Sequence, residues 1–257
     1  MDRMKARISD IMEEAPGVRT YMLEKPGEFT WAEGSHMHIG LPGFDDAENL
    51  NKNLAHPMSI STLPEEGKIG FTTRFSAAMS DFKRALSSLQ TGDEISLFKI
   101  GSRMGLRRMD RPIVLLSMGV GMATVRPLIA KFLQERDRIP DLTNINVNSS
   151  GHFVFRQYLD CQKDSCYQNH WMESRSSFYQ MLDRFCRLPQ ALYYIVGSDT
   201  FLLDVIARLL QRGNMVDDIV LDKKKDLIPY YLSGVLPPAT PQPAGVASGN
   251  TAMDRSH

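Results

Sequence analysis

The chain has 257 residues, 42% hydrophobic and 23% charged, with 30 Lys plus Arg balanced by 30 Asp plus Glu. That length suits one large or two ordinary globular domains, and the balance removes any global argument for nucleic acid or a membrane surface. No apolar run approaches the roughly 20 residues of a membrane span. MDRMKARISDIMEEAPG at the start lacks the apolar core of a signal peptide, and Cys161, Cys166 and Cys186 alone make no disulfide framework. A reduced, cytoplasmic protein is expected.

The first hundred residues read as short strands: Lys5–Met12, Val18–Leu23, His36–Leu41, Met58–Ser61, Ile69–Thr73 and Glu94–Phe98, separated by Pro-Gly and Gly-Asp turns. One helix, Ser80–Leu89, places Phe82, Ala85, Leu86 and Leu89 on one face. Six strands and a helix predict a small antiparallel barrel.

From Ile113 the rhythm changes. Strand Ile113–Ser117 runs into helix Ala123–Gln134, with Pro127 placed in its first turn. Strand Ile145–Val147 follows, then a mixed helical segment near Phe153–Leu159. Helix Ser176–Phe185 has Ser176 or Ser177 as N-cap, strand Leu192–Val196 leads to helix Phe201–Gln211 ended by Gly213, and strand Ile219–Leu221 closes the pattern. Alternation of this kind predicts a parallel sheet covered on both faces. The expected division is 1–108, 109–236 and a disordered tail 237–257, whose Pro, Ala, Gly and Ser content offers too little apolar surface to offset the entropy of ordering. No internal repeat is visible.

The stretch IVLLSMGVGMATVRPLIAKFL places Gly119-Val120-Gly121 where a strand becomes a helix. Glycines there let a backbone approach a pyrophosphate and aim free N–H groups and the helix's positive end at it, with Thr124 able to cap or donate a hydroxyl. A tight connection with no ligand explains the same residues equally well, since the full G-x-G-x-x-G fingerprint and the P-loop Gly-Lys-Ser/Thr are absent. Two further strand ends favour the ligand: Gly197-Ser198-Asp199, and Asn148, Ser149, Ser150 and Gly151 between them. In a doubly wound sheet such ends face one crevice.

In its order of motifs, roughly Met4 to Asp222, the chain resembles the ferredoxin–NADP reductase superfamily of flavoproteins. HPMSIST, His56 to Thr62, is similar to the family's Arg-x-Tyr/Phe-Ser strand end. There the resemblance implies that Pro57, Met58 and Ser59 border the flavin, with Ser59 as the catalytic hydroxyl near N5. His56 replaces the usual Arg and is a poorer phosphate clamp, and Met58 replaces the usual aromatic. FTTRFSAAMSDFKRALSSLQTGDEISLF resembles the flavin phosphate strand, loop and helix, which implies roles for Thr72, Thr73, Arg74, Met79 and Ser80. Ser80 is a plausible N-cap in any protein. SMGVGMATVRPL resembles the nicotinamide dinucleotide turn, with Gly119, Gly121 and Thr124 in correspondence and Ala123 as an extra residue. Val196-Gly197-Ser198 stands where the family often has Cys-Gly-Pro, so no thiol role carries over.

The resemblance implies an N-terminal flavin-binding antiparallel barrel followed by a doubly wound nucleotide-binding domain. It implies FAD with NADPH or NADH as cofactors, and an oxidoreductase that passes electrons to an external acceptor: ferredoxin, flavodoxin, another redox partner or a small molecule. The alternative is a binding module with weakened turnover that regulates a partner. Arg103, Arg107, Arg108, Arg111 and Lys223–Lys225 are either a solvated face or a dock for an acidic redox protein. Arg156 is a candidate for a 2′-phosphate. His36 and His38 alternate on a strand and are candidates to lie near the ligand, with one facing solvent as the default expectation. Cys161, Cys166 and His170 lack a common zinc spacing, so no metal is expected, and spacing alone supports no Ser-His-Asp or paired-carboxylate motif.

Overall fold

A computed structural model describes residues 3–45, 50–186 and 190–238; of the tail expected at 237–257, residues 239–257 lie outside the described residues. The first six strands are β1 (Met4–Ala15), β2 (Val18–Glu24), β3 (Ser35–Gly40), β4 (Ala55–Ser59), β5 (Lys68–Arg74) and β6 (Glu94–Ser102). They form one antiparallel sheet in the order β4-β3-β6-β1-β2-β5. Alternating residues such as Ile8, Tyr21, Met37 and Leu97 fill its concave side. Helix α1 (Asp81–Ser88) adds Phe82 and Leu86 to that core.

The expected barrel is present as a curled sheet that does not close. Its edges β4 and β5 meet only beyond the end of β4, where the Ser61 N–H donates to the Gly70 carbonyl at 2.8 Å. Thr62 explains the gap. Its hydroxyl accepts from the Gly70 N–H and donates to the Lys68 carbonyl, both at 2.9 Å, so a side chain satisfies backbone groups that a closing ladder would use.

The second half builds β7 (Ile113–Met118), α2 (Met122–Gln134), β8 (Leu142–Val147), α3 (Arg156–Asp160), β9 (Tyr167–Met172), α4 (Arg175–Phe185), β10 (Leu192–Val196), α5 (Asp199–Gln211), β11 (Ile219–Leu221) and α6 (Ile228–Leu232). Every neighbouring pair is parallel, in the order β11-β10-β7-β8-β9. This is a doubly wound sheet whose strand order reverses between β7 and β10. One core cluster packs α2 and α3 against one face, and the other packs α4 and α5 against the opposite face. No helix among the described residues is long and apolar enough to cross a membrane.

Several local expectations change. Strand β9 and helix α6 were not anticipated. Helix α2 begins at Met122 behind a 3₁₀ turn at Gly119–Gly121, so Pro127 lies inside the helix and its missing N–H leaves the Ala123 carbonyl without the usual bond. The N-cap of α4 is Ser174, whose hydroxyl accepts from the Ser177 N–H.

The sheets are joined by named contacts. Arg126 of α2 makes two hydrogen bonds to the Glu66 carboxylate, at 2.9 and 2.7 Å, and one to the Ser61 carbonyl at 2.8 Å. Its guanidinium also lies over the Tyr158 ring, 4.4 Å from the centroid. Much of the arginine-rich stretch is structural. Arg108 bonds the Glu135 and Asp137 carbonyls, and Arg111 bonds the Gln190 and Ala191 carbonyls and the Asp218 carboxylate.

Candidate functional site

The carboxyl ends of β7 and β10 open at the point where strand order reverses, and the β4 and β5 edges of the antiparallel sheet face them. Between lies a crevice of about 500 Å³. Its walls come from both sheets: Pro57, Met58 and Ser59 of β4, Thr72, Thr73 and Arg74 of β5, the turn Met118–Gly121 with Ala123 and Thr124, then Val147, Asn148, Ser149, Arg175, Val196, Gly197, Ser198 and Asp222.

The glycine turn has the geometry its sequence suggests. Gly119 sits at φ +55°, and an added Cβ would stand 3.3 Å from Arg74 Nη2. Gly121 has an ordinary φ, but a Cβ there would lie 3.0 Å from the Val196 carbonyl, so its glycine lets α2 start against the end of β10. Helix α2 has no side-chain cap, whereas α5 is capped by Ser198, which accepts from the Phe201 N–H. The Met122 N–H that opens α2 bonds back to the Gly119 and Val120 carbonyls, so the uncapped end of the helical run at the crevice wall is the Gly119–Gly121 turn itself.

A hydroxyl pair bridges the sheets. Thr124 Oγ1 donates to Ser59 Oγ at 2.8 Å, and each lies 3.5 Å from Asp222 Oδ2, just past β11. Ser59 accepts from Thr124, which leaves its own proton for Asp222. Beneath the turn Asn146 donates to Ser117 Oγ at 2.7 Å and reaches the Gly119 carbonyl at 3.5 Å. These buried groups fix the turn from behind.

Other residues singled out in the sequence lie outside the crevice walls. Ser80 caps α1 by accepting from the Lys83 N–H, and the Met79 carbonyl accepts from Arg84. His56 packs beside the Phe82 ring; desolvation, then the Lys83 ammonium, hold it below the ordinary histidine pKa. Ser150 turns back onto Asn148 Oδ1, and Asn148 donates to the His152 carbonyl. Asp199 accepts from Tyr231 at 2.7 Å and from Lys223 at 2.8 Å. Arg156 pairs with Asp160 instead of reaching the crevice. Among the described residues no group of three His, Cys, Asp or Glu could hold a metal ion.

Sequence reasoning missed Asp222 and Arg175. Asp222 directly follows β11 and Arg175 opens α4 three residues past β9, and only the sheet order brings the two to the crevice. For Arg175 a signal existed, since it follows β9, but that strand was not recognised. Its guanidinium lies 5.3 Å from the Phe201 ring centroid and bonds Asp204 at 3.3 Å.

No protein-family model matches the sequence, and no curated protein matches it. The fold is shared with solved structures. A ferredoxin NADP+ reductase from Neisseria gonorrhoeae with bound FAD and NADP aligns with a TM-score of 0.71 at 13% identity, over 86% of this chain and 98% of that one. The ferredoxin reductase in carbazole 1,9a-dioxygenase gives 0.70 at 14% identity, over 86% and 69%. The CS-b5R domains of human Ncb5or in the NAD+ form give 0.66 at 16%, over 86% and 70%. At these identities the likeness is one of fold: an antiparallel sheet followed by a doubly wound parallel sheet, arranged as in ferredoxin–NADP reductase-type structures.

Proposed function

We propose that the chain is an FAD-dependent oxidoreductase that takes hydride from NADPH or NADH and passes electrons to an external acceptor. The observation that carries this reading is the crevice itself, where the uncapped Gly119–Gly121 turn at a strand-order reversal shares its walls with the Ser59–Thr124–Asp222 cluster. The donor set suits the cofactors. Space that a Cβ at Gly119 would fill lies beside a guanidinium, and a helix N-terminus opens there, which is the chemistry of pyrophosphate binding. A bound flavin would supply acceptance of hydride and release of single electrons.

The chain's own residues would bind, orient and exclude water. Gly119, Val120, Gly121 and the start of α2 would hold the dinucleotide diphosphate, with Asn148, Ser149, Gly197 and Ser198 lining the approach. Ser59 would present its hydroxyl to the reacting atoms, oriented by Thr124 and held by Asp222. Pro57, Met58, Thr72 and Thr73 would border the flavin. Positive charge for its phosphates would come from Arg74, with His56 neutral. Arg175 favours NADPH, because a 2′-phosphate needs a cation at the crevice wall. Lys99, Arg103 and Lys224, whose charges reach His38, would meet an acidic redox partner. The division into 1–108 for flavin and 109–236 for nucleotide follows from these assignments.

A regulatory binding module is the second reading, favoured by His56 in place of an arginine and by Val196 in place of a thiol. The test is the visible spectrum of the purified protein, reconstituted with FAD and titrated anaerobically with NADPH and then NADH. A flavin spectrum that bleaches supports the reductase. A flavin spectrum unmoved by either nucleotide supports the module, and failure to bind FAD overturns both.

A further inference from the structure

We propose a second ligand site, for a small organic anion with an apolar body, on the opposite side of the Leu221–Lys223 strand end from the crevice. Asp222 lines the crevice, whereas its neighbours Leu221 and Lys223 line a separate cavity of about 570 Å³. That volume is in the range of small-molecule sites. Its apolar walls are the three residues of β11 together with Ile228 and Leu232 of α6, and Met109 and Val216, 49% and 41% exposed, complete them.

The charge of the walls is one-sided. Among the described residues five cations line the cavity, against the single carboxylate of Asp217. Two of the five are neutralised inside the fold, Arg111 by Asp218 and Lys223 by Asp199. The other three are not. Arg103 and Lys225 have no carboxylate partner among the described residues, and the Arg107 guanidinium bonds only the Asp217 carbonyl, at 3.0 Å. Unpaired cations over an apolar surface attract an anion and reject a cation of the same shape.

Among the described residues strand β11 is an edge strand, paired only with β10. Three residues are too short an edge to register an added strand firmly, so the cavity and its charge, and not strand addition, define the occupant. An acidic peptide is the competing occupant.

The experiment is calorimetric titration of the full chain with decanoate, decanol and decylammonium. Decanoate is expected to bind one to one, at least tenfold more tightly than either analogue. Arg103→Glu combined with Lys225→Glu, both away from the core, is expected to weaken it at least tenfold while the melting temperature holds. Ile228→Asp is expected to weaken it as much, and Ser59→Ala to leave it unchanged. Equal binding of decanol, indifference to the charge reversal, or no decanoate binding at 1 mM would each overturn the proposal. So would an acidic peptide that binds where decanoate does not, and that result would identify a protein surface instead.

Discussion

Thr124 of α2 donates a 2.8 Å hydrogen bond to Ser59 of β4, so one proton ties the parallel sheet to the edge of the antiparallel one. The contact sets the Ser59 rotor and directs its own hydrogen to Asp222. Ser59→Ala is expected to slow flavin reduction by NADPH about 100-fold, the scale of a misplaced reacting group. Nucleotide affinity should change little. Anaerobic stopped-flow absorbance checks this, and an unchanged rate removes Ser59 from the reacting centre.

Gly119→Ala puts a side chain at φ +55° and 3.3 Å from Arg74. The backbone conformation alone should cost about 1–2 kcal/mol. The melting temperature should fall by several degrees, and dinucleotide affinity by more than the stability loss explains. Thermal melts with and without nucleotide separate the two effects.

The Arg126–Glu66 pair is a second inter-sheet link, with side chains only 11% and 29% exposed. Glu66→Gln keeps the shape but leaves the guanidinium without its counter-charge. The loss should be about 3 kcal/mol, at the low end for a broken buried pair. That corresponds to a fall of roughly 6–12 °C in Tm. A smaller loss in Arg126→Met than in Glu66→Gln would show that the stranded charge, and not the lost contact, dominates.

Acid should destabilise the fold in two stages. His36, His38, His56 and His170 all have pKa values lowered, with desolvation the largest cause in each. Their unfolded values lie near 6.5. Below that pH the unfolded chain takes up protons that the folded chain refuses, so stability falls as pH drops through the folded values. Asp199 is lowered by its hydrogen bond to Lys223, then by that to Tyr231, and its contribution is lost below the ordinary carboxylate value. Urea midpoints from pH 8 to 3 should show both declines, and His56→Gln should flatten the first.

Arg175 is exposed and lines the crevice without occupying it. Arg175→Gln is expected to raise KM for NADPH about tenfold and leave that for NADH unchanged. An equal change for both nucleotides would assign Arg175 to the diphosphate or to its Asp204 contact.

The parallel sheet was legible because its strands are buried on both faces. Leu192–Val196 and Ile219–Leu221 were read to the residue, since continuous apolar runs bounded by turn residues have few other solutions. Strand β9 escaped because YQNHWM is an edge strand, mostly part-exposed, with polar Gln168, Asn169 and His170 in its middle. The open edge of the first sheet was also hidden, because a single threonine side chain replaces a ladder and leaves no periodic trace. At the candidate site, positions carried by strand-to-helix turns were visible from spacing. Asp222 and Arg175 were not, since their place depends on which strands become neighbours.

That dependence reaches into the order of folding. β7 has β8 on one side and β10 on the other, and β10 is made only after α2, β8, α3, β9 and α4 have left the ribosome. Until it seats, β7 has an unpaired edge, Gly121 has nothing to pack against, and the crevice does not exist. The site is thus assembled by late, long-range contacts. Any ligand of the crevice would recognise only the finished protein and would draw the last folding step forward. A chain truncated before Leu192 would keep most of its strands and lose the place where they act together.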